Sequence, residues 1–228
     1  MNASTGPADA KKLPISAREL RAIAISHGWF DLAPWASRPG PPRPLHPRLE
    51  RAFVTPRGAG AFAVGAAGRR VELHALHGRR GLVRQVAERC LSLDRDPRGL
   101  WRAARRTPGF EWLADARLGR YLRSPTLFED AFKVLCTTNT SWAGTRRMVG
   151  RAVERYGVEV GPRRAFPPPE RLAGEREETL RRLLGCGYRA SGLIELSARA
   201  AARPDLWLGD GWRALDAEGL AAKILDVP

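Results

Sequence analysis

The stretch SPTLFEDAFKVLCTTNTSWAGTRRMVGRAVERYG, residues 124–157, contains two apolar helical stripes separated by a short polar interruption. Ser124 followed by Pro125 has the form of an N-cap and a first helical residue. Leu127, Phe128, Ala131, Phe132, Leu135 and Cys136 then fall on one face at helical spacing. CTTNTS, residues 136–141, breaks that pattern with five hydrogen-bonding side chains, which compete with the backbone and favour turns and caps. Ser141 is placed to cap a second helix with Trp142, Thr145, Met148, Val149, Ala152 and Tyr156 along one side, and Gly157 stops it. The expected product is a helical hairpin with a polar elbow.

Further along the chain, FPPPERL (166–172) reads as a Pro-rich turn into a helix bearing Leu180, Leu183 and Leu184. GCGYRA (185–190) ends that helix and reopens as another through Leu193, Ile194, Ser197 and Ala201. A last helix from Asp216 carries Leu220, Ile224 and Leu225 before Val227-Pro228. Towards the N-terminus, Asp96-Pro97 opens a short helix through Leu100, Trp101 and Ala104, and Leu82, Val83, Val86, Cys90 and Leu93 keep helical spacing. Everything after Gly81 reads as helical. Before it, RAFV, AFAVG and RVELHAL are short, partly alternating and bounded by glycine, the pattern of a small antiparallel sheet. The fold class is therefore α+β: an N-terminal tail over 1–26, an antiparallel β domain with a helix over 27–93, and a helical core over 94–228. ISARELRAIAIS within the tail is compatible with either a strand or a short helix.

The formal charge is +15, and only four of the 39 basic residues are lysine. An arginine-rich composition explains the choice of cation but not the small number of acids, so a polyanion, nucleic acid first, is the partner to test; a solvated basic face is the alternative. Cys90, Cys136 and Cys186 are far apart, odd in number and form no C-x-x-C pair, so neither a disulfide framework nor a zinc or iron-sulfur site is supported, which suits a reducing cytosol. His74 and His77 lack a third ligand, so no metal is expected. Cys136 lies on an apolar face without a base and reads as core. No apolar run reaches the roughly 18 residues of a membrane span, and MNASTGPADAKKLP lacks a signal-peptide core. The expected protein is soluble and cytoplasmic, or nucleoid-associated if bacterial.

Taken together, residues 124–157, FPPPERLA and LRRLLGCGYRASGLIELSARAAA resemble the helix-hairpin-helix DNA glycosylases of base-excision repair, particularly the 8-oxoguanine and 3-methyladenine alkylation-repair branches. The similarity is strongest over about 120–228. It implies an amino-terminal antiparallel β domain ahead of an all-helical core, a monomer acting on double-stranded DNA with a damaged base, and no cofactor. In that family the helix ending KILDVP is followed by the hairpin, a Gly/Pro-rich loop and a catalytic aspartate. The 8-oxoguanine branch adds a Schiff-base lysine on the hairpin's second helix. The resemblance thus implies a chain that stops before its catalytic segment, with no catalytic residue assignable. Lys223 precedes the hairpin and does not match that lysine. A non-catalytic DNA-binding fragment and an unrelated basic helical adaptor are the alternatives.

By its residues alone, Asn139 reads as an ordinary helix cap; the resemblance makes it the asparagine that fills the gap left by a flipped nucleotide. Tyr188 and Arg189 read as a packed phenol and a solvated guanidinium, or, by resemblance, as the intercalating wedge and the arginine that reads the unpaired base. Arg146, Arg147 and Arg151 are candidate phosphate contacts. Gly144 stands where the 8-oxoguanine branch has a second arginine, which puts recognition of an opposite cytosine in doubt. Leu220, Ile224 and Leu225 are expected to leave an apolar patch.

Overall fold

The computed structural model describes residues 10–38, 48–68 and 70–225. Two compact units divide the chain. The first gathers the residues up to Asp31 with Trp35–Arg51 and Gly60–Arg123, and the second gathers Leu32–Pro34, Ala52–Ala59 and Ser124 onward.

Strands β1 (Lys11–Leu13), β2 (Ala36–Arg38), β3 (Arg48–Thr55), β4 (Gly58–Ala67) and β5 (Arg70–His77), most of whose residues belong to the first unit, form one sheet in the order β1-β5-β4-β3-β2. The pairings β1 with β5, β2 with β3 and β4 with β5 are antiparallel. The three central strands are those expected from the alternating RAFV, AFAVG and RVELHAL runs. β1 and helix α1 (Ala17–Ala24) fall within the stretch taken as a tail. The local signal for α1 is a capping box: Ser16 Oγ accepts the Glu19 N–H at 3.2 Å, while Glu19 Oε2 accepts the Ser16 N–H at 2.9 Å. Leu20, Ile23 and Ala24 are buried beneath it.

Helices α2 (Arg80–Cys90), α3 (Arg98–Arg106) and α4 (Glu111–Asp115) complete this unit. The unit limit at Arg123/Ser124 lies well past the sequence-based boundary at 93/94. Residues 121–123 are stitched back to α2: Ser92 Oγ donates to the Tyr121 carbonyl at 2.7 Å and the Arg123 N–H to the Cys90 carbonyl at 2.8 Å. Such pairings join residues about thirty apart and leave no local trace. α3 begins one residue later than expected, with Pro97 as N-cap and Asp96 Oδ1 accepting the Arg98 N–H at 3.0 Å.

The second unit is built on α5 (Leu127–Thr137), α6 (Trp142–Tyr156), α7 (Glu170–Ala173), α8 (Glu177–Leu184) and α9 (Ala190–Ala202), with α10 (Pro204–Trp207) and α11 (Ala217–Leu225) following. The cap of α5 is Thr126, whose hydroxyl accepts the Glu129 N–H at 3.2 Å; Ser124 instead donates its backbone N–H to Asp130. Phe128, Phe132 and Phe166 pack edge to face with centroids 5.2–6.2 Å apart. A two-stranded ribbon, β6 (Val158–Val160) with β7 (Arg163–Ala165), interrupts the all-helical course expected after Gly81. Gly157 makes the ribbon possible, because a Cβ there would lie 2.2 Å from the Val153 carbonyl oxygen and 2.6 Å from that of Ala165. Trp142 does not join the core face predicted for it. As the first residue of α6 it is 39% exposed.

The buried face of α5 holds more than its apolar stripe. Lys133 is completely buried, and its Nζ donates to Glu129 Oε1 at 2.6 Å and to Ser124 Oγ at 3.4 Å. This i,i+4 ion pair sits among Phe128, Phe132 and Phe166, with Nζ 6.0 Å from the Phe166 ring centre. The side chains of Lys223, Ile224 and Leu225 lie outside the described residues, so the expected terminal patch is represented only by the partly exposed Leu220.

Candidate nucleic-acid interface

The polar elbow between α5 and α6 is closed by its own hydroxyls. Thr137 Oγ1 donates to the Val134 carbonyl at 2.7 Å and Thr138 Oγ1 to that of Leu135 at 2.9 Å, which satisfies carbonyls left over at the helix end. Ser141 caps α6 as expected, accepting the Gly144 N–H at 3.2 Å. Thr145, buried one turn on, donates to the Cys136 carbonyl at 3.0 Å. Between these fixed points Asn139 adopts φ +39°, the left-handed region that asparagine tolerates better than most residues. Its side chain is exposed and its carboxamide makes no hydrogen bond among the described residues. Capping falls to Ser141, which leaves the Asn139 amide available to an outside partner.

The second segment begins where α8 stops. Gly185 at φ +69° ends the helix in the left-handed conformation, and Gly187 at φ +57° turns the chain again. Arg181 Nε donates to the Gly187 carbonyl at 3.2 Å and holds the turn. The turn throws the Tyr188 ring outward, 61% exposed, and sends Arg189 inward, 9% exposed.

Arg189 brings the two segments together. Its Nε donates to Thr138 Oγ1 at 3.1 Å, Nη2 to the carbonyls of Thr138 and Asn139 (the latter at 3.0 Å), and Nη1 to the Cys186 carbonyl at 3.3 Å. The guanidinium also lies under the Tyr188 ring, 4.6 Å from its centre. Residues fifty positions apart are thereby fixed as one surface, with a free carboxamide and an exposed phenol ring at its outer edge. Arg189 was expected to present its fork to a base; here the fork is engaged by backbone carbonyls and the residue acts as the fastener. Sequence reading identified the residue but missed that role, because the three carbonyls that need donors are created only when α5, α8 and α9 pack.

A chain with this helical unit matches several solved structures. It aligns with MBOgg1 in complex with a low-affinity DNA ligand at TM-score 0.70 and 13% identity, covering 96% of this chain and 74% of that one. The Clostridium acetobutylicum 8-oxoguanine glycosylase/lyase in complex with dsDNA containing cytosine opposite 8-oxoG gives 0.66 and 15%, over 96% and 73%. This chain has the DNA glycosylase fold. The 3-methyladenine DNA glycosylase from Archaeoglobus fulgidus gives 0.63 and 20%, over 83% of this chain and 66% of its own. Neither a family model nor a curated protein sequence matches.

Within the glycosylase fold the other predicted residues take plain positions. Arg146 and Arg147 stand exposed on α6. Arg151, one turn further on, comes close to the turn at Gly185, where an added Cβ would lie 2.9 Å from its Nη1. At Gly144 a Cβ would meet Thr140 Oγ1 at 2.4 Å, so a longer side chain there requires Thr140 to move. Cys136 is buried under the elbow, and burial, with Cys186 nearby, pushes its thiol up to about 12, so it carries no thiolate at neutral pH. No group of three or more His, Cys, Asp or Glu among the described residues is arranged to hold a metal ion. No helix among them is long and apolar enough to cross a membrane.

Proposed function

We propose that this chain recognises damaged DNA as a base-excision glycosylase of the purine-flipping kind, with Asn139 and Tyr188 occupying the position vacated by the flipped nucleotide. The observation that carries this reading is the junction of the elbow and the GCGYRA turn through Arg189, which leaves the Asn139 carboxamide unbonded and the Tyr188 ring exposed on the two joined segments. Taking a base out of the stack costs a few kcal/mol. An amide that satisfies the orphaned base edge and a ring that stacks in the gap offset that cost, the ring by roughly 1–3 kcal/mol. Arg146 and Arg147 add phosphate contacts that position the protein without reading sequence. The fold similarity and the charge of +15 support a duplex as ligand.

Binding to a duplex that contains an abasic-site analogue, compared with the intact duplex by fluorescence anisotropy, tests this reading. The abasic duplex, already gapped, is expected to bind about tenfold more tightly, in keeping with the stacking contribution, and Tyr188→Ala to abolish the preference. Equal affinity for both duplexes, unchanged in the variant, rules the reading out.

None of the 228 residues is assigned to bond cleavage, so the chain on its own is expected to release no base from duplexes carrying 8-oxoguanine or 3-methyladenine. The measurement is base release during prolonged incubation at saturating protein; any accumulation above the protein-free control shows that a cleaving group lies within these residues.

A further inference from the structure

We infer that the first unit carries a second DNA-contacting surface, a phosphate-binding cleft along α3. The inference rests on the reading of this protein as a duplex binder but uses none of the residues of the elbow site. α3 bears Arg98, Arg102, Arg105 and Arg106 and no acidic residue. The first three line an open cleft of about 590 Å³ together with Trp101, Asp115 and Arg117. An adjoining hollow of about 390 Å³ shares Arg98, Trp101 and Arg117 and adds Arg95 and Arg120 with the acids Asp94 and Asp96.

The cleft is a built feature. Trp101 Nε1 donates to the Leu118 carbonyl at 2.6 Å, which fixes the indole, and the guanidinium groups of Arg117 and Arg120 lie over its ring at 5.0 and 5.8 Å. The acids nearby are already committed. Asp96 is gripped by Arg98, whose hydrogen bonds bring its carboxyl down to about 2, and Glu19 is shared between Arg117 at 3.1 Å and Arg120 at 3.6 Å. Asp115 reaches Arg105 only at 3.8 Å, and Arg102 has no ion pair among the described residues. An excess of guanidinium over carboxylate, with Arg102 and Arg105 exposed, favours an incoming anion. From Arg98 to Arg105 the helix rises about 10 Å, so the row suits a run of backbone phosphates better than one small anion.

The test is the salt dependence of intact-duplex binding by the full chain with Arg102→Gln and Arg105→Gln together. Both side chains are exposed, so the fold should hold, and an unchanged thermal melt checks it. Each lost phosphate contact lowers the slope of log K against log salt by about 0.9, so the expected drop is about 1.8, with several-fold weaker binding and an unchanged abasic-to-intact ratio. Arg18→Gln with Arg21→Gln, exposed on α1, removes the same charge elsewhere and should leave the slope nearly intact. A slope equal to that of the unaltered chain, or an equal drop in both double variants, overturns the cleft. A cleft-dependent slope without any abasic preference would leave the cleft standing and remove the elbow reading instead. Absence of duplex binding removes both.

Discussion

Lys133→Met is expected to lower the unfolding free energy by about 3–5 kcal/mol, because it removes the ammonium paired with the buried Glu129 carboxylate. The two side chains form an i,i+4 pair on α5, are 0% and 3% exposed, and are surrounded by the three phenylalanines of the helical core. The pair itself is not the source of stability: desolvating both charges offsets most of their attraction, so the double variant Glu129→Leu/Lys133→Met is expected to recover most of the loss. Urea denaturation of the two single variants and the double variant forms a cycle that measures the coupling. A single Lys133→Met variant with an unshifted midpoint would mean that the buried charge is compensated in some other way.

The second large effect is expected at Arg189. Arg189→Met removes the donors to the Thr138, Asn139 and Cys186 carbonyls at once. Hydrogen bonds to a charged group contribute about 1.5–3 kcal/mol each, but water can reach some of these acceptors after the change, so a total loss of roughly 2–3 kcal/mol is expected. The functional loss should be larger than the stability loss suggests, since Asn139 and Tyr188 no longer share an anchor. Preference for an abasic duplex is expected to disappear, and amide exchange at 138–141 to accelerate. Arg189→Lys should rescue little, because one ammonium cannot reproduce the fork. If the abasic preference falls while exchange at the elbow stays slow, Arg189 acts by touching the DNA and not as a fastener.

Much of the architecture was legible wherever its cause was local. Ser141, Gly157 and the glycines of GCGYRA announce helix ends through side-chain and φ chemistry, and each ends or starts a helix as expected. The three central sheet strands were visible through alternation, while the short outer strands β1 and β2 were not. What escaped notice depends on partners far along the chain. β6 and β7 are three residues each and pair only because Gly157 admits them, so they left no mark on a stretch read as helical overall. Glu129 and Lys133 have i,i+4 spacing, the ordinary mark of a solvated pair, and only the phenylalanine packing turns them inward. The elbow and the turn were each identified from sequence, but the guanidinium that joins them was given a different task.

The consequence of that junction is kinetic. If the proposed reading holds, an edge held together by one internal fork before DNA arrives needs little ordering upon encounter, so association should proceed at a rate set mainly by charge. Discrimination between sound and damaged duplexes would then reside in how long the complex survives, with dwell time, more than arrival frequency, distinguishing one from the other.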